Sequence, residues 1–202
     1  MNGYYGTFSA NATESEYNPT MTTLSRPNSA LLVIDVQNQV VDGAFNKDAV
    51  IANINEAVGK ARAAGVPVVW IQHSDDWMPI GSEDWQIVPE LAPLESEAKV
   101  GKLYRNSFEA TNLEEVLAGL NVGHIYACGA QTNNCVRHTG HGALDRGYDV
   151  TLIEDAHTTT DYTFEGQHVS AEVLVDDLNA SFTEYELPGR NANVVTTSEA
   201  FA

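Results

Sequence analysis

Cys135 is the side chain best suited to covalent chemistry, and its setting is specific. The run Gly129-Ala130-Gln131-Thr132-Asn133-Asn134-Cys135-Val136-Arg137-His138-Thr139 follows the short apolar stretch His124 to Cys128 and leads into residues readable as a helix. A cysteine at such a strand-to-helix turn meets outward-pointing backbone N–H groups and the positive end of a helix dipole, both of which favour a thiolate. The stretch alone is equally compatible with a buried thiol used as a small hydrophobe. Two more residues bear on the choice. Asp35 closes the apolar run Ala30-Leu31-Leu32-Val33-Ile34, and Lys102 follows Ala98-Lys99-Val100-Gly101. Taken singly, Asp35 reads as a site carboxylate or a solvated loop acid, and Lys102 as a site cation or an ordinary surface lysine.

The elements that must position these residues follow from apolar periodicity. Ala30 to Asp35 has the continuous apolar character of a strand buried on both faces of a parallel sheet. Lys47 to Ala64 carries apolar residues at 50, 51, 54, 57, 58 and 61, a helical stripe closed by Gly65. Val66 to Ile71 is a second strand, and the strand-helix-strand order implies parallel pairing. From Gln72 to Ser96 no period is sustained; this long loop carries His73, Asp75, Asp76, Trp77 and Trp85, the tryptophans suiting either packing or a pocket wall. Ala98 to Lys102 is a third strand. Thr111 with Glu114 makes a capping box for a short helix to about Leu120. His124 to Cys128, a helix over about 134–146, Tyr148 to Ile153 and a helix over 164–179 follow, with a short sixth strand expected near Ser181 to Tyr185. Asp35, Lys102 and Cys135 then all follow strand ends, which share one edge of a doubly wound sheet. There an acid can take a thiol proton and a cation can stabilise the thiolate, which allows attack on an amide carbonyl.

Composition narrows the partners. The 202 residues suffice for one domain, expected over 29–187, with a polar arm at 1–28 and a tail at 188–202. Twenty-eight acids against 10 bases give a net charge of −18, which repels nucleic acid and anionic membrane. No apolar run approaches the roughly 20 residues of a membrane span. The N-terminus lacks a basic and apolar leader pattern, so a cytoplasmic location is expected. The two cysteines, Cys128 and Cys135, fit neither a disulfide framework nor zinc spacing. His73 with Asp75 and Asp76 lacks a second histidine at ligand spacing, so neither a metal nor another cofactor is expected.

The sequence resembles the isochorismatase-like cysteine hydrolases, which include nicotinamidases and N-carbamoylsarcosine amidohydrolase. The resemblance spans Ala30 to Asn179. It rests on Leu32 to Asn38, on Gly101-Lys102 with Ser107-Phe108 and Thr111-Asn112-Leu113, on Gly129 to Thr132 with Cys135-Val136 and Thr139, on Arg146 to Val150, and on Asp155-Ala156. It implies a three-layer α/β/α fold on a six-stranded, mainly parallel sheet, with Asp35, Lys102 and Cys135 as a catalytic triad. It further implies a cis Ala130-Gln131 peptide, an oxyanion hole from the N–H groups of Gln131 and Cys135, and assembly as a dimer or tetramer. The loop His73-Ser74-Asp75-Asp76-Trp77 departs from the metal-binding pattern of nicotinamidases, and Cys135 departs from true isochorismatases. The leading expectation is therefore metal-free hydrolysis of a small amide, carbamoyl or ureido compound, with Gln37, Trp77, Phe108, Asn134 and Arg137 as substrate contacts. The alternatives are vinyl-ether hydrolysis with Cys135 a bystander, and an inactive binding or assembly module.

Overall fold

The computed structural model describes residues 25–202, so most of the expected N-terminal arm lies outside the described residues. The strands are β1 (Asn28–Ile34), β2 (Val68–His73), β3 (Ala98–Lys102), β4 (Val122–Ala130), β5 (Asp149–Thr158), β6 (Tyr162–Phe164), β7 (Gln167–Val169), β8 (Glu186–Leu187) and β9 (Arg190–Val195). The helices are α1 (Lys47–Ala63), α2 (Leu113–Gly119), α3 (Arg137–Asp145) and α4 (Ala171–Glu184), with a π turn over Thr132–Val136 running directly into α3. Among the described residues the main sheet has seven strands in the order β3-β2-β1-β4-β5-β9-β8. Six are parallel, and the two-residue β8 joins the edge antiparallel to β9.

Alternation along β1 explains the three layers. Leu31 and Val33 join the buried stripe of α1, which includes Ile51, Ile54, Ala57, Val58 and Ala61. Leu32 and Ile34 point the other way, into a core shared with Leu113 and Leu117 of α2, Leu144 of α3, and Leu178 and Phe182 of α4. A strand covered on both faces has no polar side to show, which is why this segment reads as an unbroken apolar run. Each large aliphatic side chain so buried contributes about 1.5 to 3 kcal/mol.

Several expectations need correction. The segment expected to open the last helix at 164 is a β6–β7 hairpin, whose two-residue turn Glu165-Gly166 has φ of 48° and 78°. Positive φ at both turn residues matches the twist of paired strands. Helix α4 begins instead at Ala171, where Ser170 caps it by accepting from Val173 N–H, and it continues through Phe182 to Glu184. No strand therefore occupies Ser181 to Tyr185. The sixth parallel strand is β9, within the presumed tail, paired with β5 from Val150–Ala192 to Ile153–Val195. Beyond it the Phe201 ring packs, tilted, against Tyr126 at 4.3 Å between centroids. The expected capping box is also absent. Asn112 precedes α2, and the Glu114 carboxylate accepts from Arg26 (3.2 Å) and from the Tyr148 hydroxyl (2.9 Å) rather than turning back to the backbone.

Candidate active site

The site stands where β1 and β4 lie side by side while the chain continues from each in opposite directions across the sheet. Ile34 is level with Ile71 of β2 and Gly129 of β4. One residue on, Asp35 takes a left-handed φ of 50° while its N–H still bonds Ile71 O at 3.0 Å. Its carboxyl group is wholly buried. Gly129 has φ 121°, and a Cβ there would lie 2.1 Å from Ile34 O, so only glycine lets β4 approach β1 this closely. The Ala130-Gln131 peptide that follows is cis. Gln131 O then accepts from Asn134 N and Val136 N at 3.0 and 3.2 Å, which starts the π turn that carries Cys135.

Lys102 ends β3, paired with His73, and is 2% exposed. Its ammonium lies 2.6 Å from Asp35 Oδ2. It also donates to Cys135 Sγ and to Tyr104 O, each at 3.1 Å. Two of its protons thus make hydrogen bonds, while its contact with Asp35 is an ion pair and not a directed hydrogen bond. The three residues that sequence reasoning assigned to strand ends are brought into one cluster.

Burial governs the electrostatics. It pushes the Asp35 carboxyl above the usual carboxylate range, with Lys102 opposing. Burial pushes the Cys135 thiol up to about 12, the Asp35 charge adds to this, and Lys102 counters in part. At this turn desolvation outweighs the stabilising influence of Lys102, which favours the thiol form of Cys135 and leaves its proton for a base to remove, as the sequence reading expects.

The turn is braced from behind. Buried Thr132 meets His157 Nδ1 at 2.9 Å, and His157 Nε2 meets Asn179 Oδ1 at 2.8 Å. With Nε2 donating to the Asn179 oxygen, Nδ1 accepts from the Thr132 hydroxyl. Thr159 donates to Asn133 Oδ1 at 2.7 Å. Ser107 N–H donates to Thr139 Oγ1 at 3.0 Å, tying the segment after Lys102 to the helix after Cys135.

In front of Cys135 opens a cavity of about 270 Å³ lined by Asp35, Gln39, Val40, His73, Asp75, Trp77, Met78, Arg105, Gln131, Asn134 and Cys135. Of the five expected substrate contacts, Trp77 and Asn134 line it and three do not. Gln37 is fully buried and splices the long loop, donating to His73 O (2.9 Å) and Trp85 O (2.8 Å) and accepting from His73 N. Phe108 belongs to the core against Tyr148, with the Arg146 guanidinium 4.8 Å above its ring. Arg137 pairs with Asp177 of α4. Sequence reasoning missed Arg105, Gln39, Val40 and Met78, which sit on irregular segments where no periodicity says which side chain faces inward. Among the described residues no group of three His, Cys, Asp or Glu side chains is placed to hold a metal ion.

Comparison with known proteins adds a lineage to this geometry. A family model described as the Isochorismatase domain matches residues 29–184. Over 141 residues the chain is 35% identical to the secreted isochorismatase effector Isc1 of Verticillium dahliae, covering 66% of this chain and 74% of that protein. It is 33% identical over 142 residues to the streptothricin hydrolase of Streptomyces noursei, covering 67% of this chain and 56% of that one. It is 28% identical over 180 residues to the ureidoacrylate amidohydrolase RutB of Klebsiella pneumoniae, covering 68% and 76%. The crystal structure of an isochorismatase from Pseudomonas putida KT2440 superposes with a TM-score of 0.77 at 28% identity, covering 87% of this chain and 90% of that one.

Proposed function

The chain belongs to the isochorismatase family of hydrolases, and we propose that within it the protein is a cysteine hydrolase that cleaves a C–N bond of a small amide, carbamoyl or ureido compound. The observation that carries this reading is the Lys102 ammonium, which reaches both Asp35 at 2.6 Å and Cys135 Sγ at 3.1 Å. It can follow negative charge from the carboxylate to the sulfur as a proton moves the other way. The names of two relatives agree with the class, one an amidohydrolase and one a hydrolase.

The resting thiol does not ionise in advance. Asp35 accepts the Sγ proton as Sγ attacks the carbonyl carbon, and Lys102 stabilises the sulfur through the transfer. The backbone N–H groups of Gln131 and Cys135 are assigned to the developing oxyanion. Asp35 then returns the proton to the departing nitrogen, leaving a thioester, or a thiocarbamate where the substrate is a urea. Water attacks this intermediate with Asp35 again as base, releasing the acid and restoring the thiol. Trp77, Val40 and Met78 supply apolar wall, while Asn134 and Gln131, joined at 3.0 Å through their side chains, supply polar wall. The cavity lies slightly below the roughly 300 to 1,000 Å³ of most ligand pockets, so the substrate is small.

The deciding experiment incubates the protein with a panel of small amides and ureido acids and follows ammonia. Cys135→Ala and Cys135→Ser should lose turnover by at least about 10³-fold while keeping the native circular-dichroism spectrum. Full activity in either variant overturns the nucleophile assignment.

A further inference from the structure

The turn that carries Cys135 divides its side chains between two tasks. Asn134 and Cys135 line the cavity. Thr132 and Asn133 do not, and their polar groups are engaged by the structure behind. Thr132 is wholly buried, with its Oγ1 2.9 Å from His157 Nδ1. Asn133 Oδ1 accepts from the Thr159 hydroxyl at 2.7 Å, and Thr159 O in turn accepts from Phe45 N–H at 2.9 Å. His157 is 1% exposed and, like Thr132, does not border the cavity. The mechanism above uses neither residue.

The hydrogen bonds behind the turn have a single direction. Asn179 Nδ2 donates to Glu154 O at 3.3 Å, so the Asn179 atom 2.8 Å from His157 Nε2 is the oxygen, an acceptor. Nε2 therefore carries the ring proton. Burial lowers His157 to about 4, which keeps the ring neutral at physiological pH and leaves Nδ1 a lone pair. A neutral Nδ1 without a proton only accepts, so the Thr132 hydroxyl donates to it. A threonine hydroxyl ordinarily rotates to suit its surroundings. This one is fixed by a chain of bonds that runs from the β5 backbone through α4 to the first residue of the turn.

We infer that His157 and Thr132 are positioning residues for the nucleophile: the directed bond between them sets where the turn begins, and so where Cys135 Sγ stands relative to Asp35 and Lys102. This rests on the cysteine-hydrolase reading above. Gln131 O, in the peptide that leads into Thr132, accepts from Asn134 N–H and Val136 N–H, the two neighbours of Cys135. A displacement of Thr132 is therefore passed to both sides of the nucleophile. Asp35 and Lys102 stand at the ends of β1 and β3 and do not share that attachment. The tolerance is narrow, since the Lys102 ammonium is 3.1 Å from Sγ and 2.6 Å from Asp35 Oδ2. Misplacing a reacting group by about 1 Å costs about 10²-fold in rate.

The two sides of the His157 ring can be tested apart. In His157→Asn the side-chain oxygen can take the place of Nδ1 and accept from Thr132, while the bond to Asn179 is lost. In His157→Gln the amide nitrogen can take the place of Nε2 and donate to Asn179, while Thr132 loses its acceptor. Both remove a buried hydrogen bond, and both should lower the urea midpoint. Kinetics are measured below the unfolding transition of every variant, on an amide from the panel above. In His157→Gln and Thr132→Val kcat should fall about 10- to 100-fold with KM within about 2-fold. His157→Asn and Thr132→Ser should restore kcat to within about 3-fold of wild type. Equal kcat losses in His157→Asn and His157→Gln, or a wild-type kcat in Thr132→Val, overturn the assignment. A second readout does not depend on turnover. Cys128 is fully buried, so iodoacetamide labelling read by mass spectrometry of the Cys135 peptide reports the nucleophile. A displaced thiol is less buried and labels faster, by at least about 3-fold at about pH 8 in Thr132→Val and His157→Gln but not in Thr132→Ser or His157→Asn. If no amide is turned over, that pattern by itself supports the positioning role, and one labelling rate shared by wild type and all four variants overturns it.

Discussion

Burial raises both Asp35 and Cys135, so neither carries a charge readily without a cation, and Lys102 supplies one to whichever is ionised at a given step. Asp35→Asn retains shape and removes the proton acceptor. Its kcat should fall about 10²- to 10⁴-fold with KM little changed, as steady-state kinetics on any turned-over amide will show; near-normal kcat would mean that another group takes the thiol proton. At this scale the sequence was partly readable. Asp35, Lys102 and Cys135 each end or follow a buried strand, so a topological argument places them together. Gln37, Phe108 and Arg137 have the right chemistry for a pocket, but their side chains are consumed by the loop splice, the core and Asp177. Arg105 carries no signal in sequence because the segment from Leu103 to Phe108 has no period.

Strands β1 and β4 set the distance between acid and thiol, and Gly129 sets the distance between the strands. Gly129→Ala must leave a φ of 121° and relieve a 2.1 Å contact with Ile34 O, neither of which a flexible neighbour can absorb. A loss of about 3 kcal/mol or more is expected, read as a lower midpoint in urea unfolding or as failure to accumulate soluble protein. A variant of wild-type stability would show that β1 and β4 can separate without penalty. The elements most legible in sequence were those whose burial is one-sided or complete, α1 and β1. The misread ones lie at 162–195, where the β6–β7 hairpin is exposed and β9 is an Asn-containing strand with one long-range neighbour, β5, to define it. Such segments take their structure from what they lie against, and local patterning does not record it.

One pH-dependent contribution to the stability of the whole molecule comes from a group behind the turn that carries Cys135. Burial lowers His157 from its ordinary 6.5 to about 4, while the Asn179 and Asp155 contacts oppose this. The unfolded chain takes up a proton near pH 6.5 that the folded chain refuses until about pH 4. The His157 contribution to stability therefore falls as pH is lowered through that window and levels off below it. The span corresponds to roughly 3 kcal/mol. The stability advantage of wild type over His157→Gln should shrink by about that amount between pH 7 and pH 4, measured by denaturant unfolding at each pH; a constant difference would show that His157 is not held neutral. The upward shift of the Cys135 thiol has a further consequence. Peroxides and alkylating agents react with thiolates, and in the proposed mechanism Cys135 becomes one only while a substrate is being attacked. An idle molecule should therefore be oxidised and alkylated more slowly than a free cysteine at the same pH, a chemical durability that a permanently ionised cysteine would lack and that the rate of iodoacetamide labelling will check.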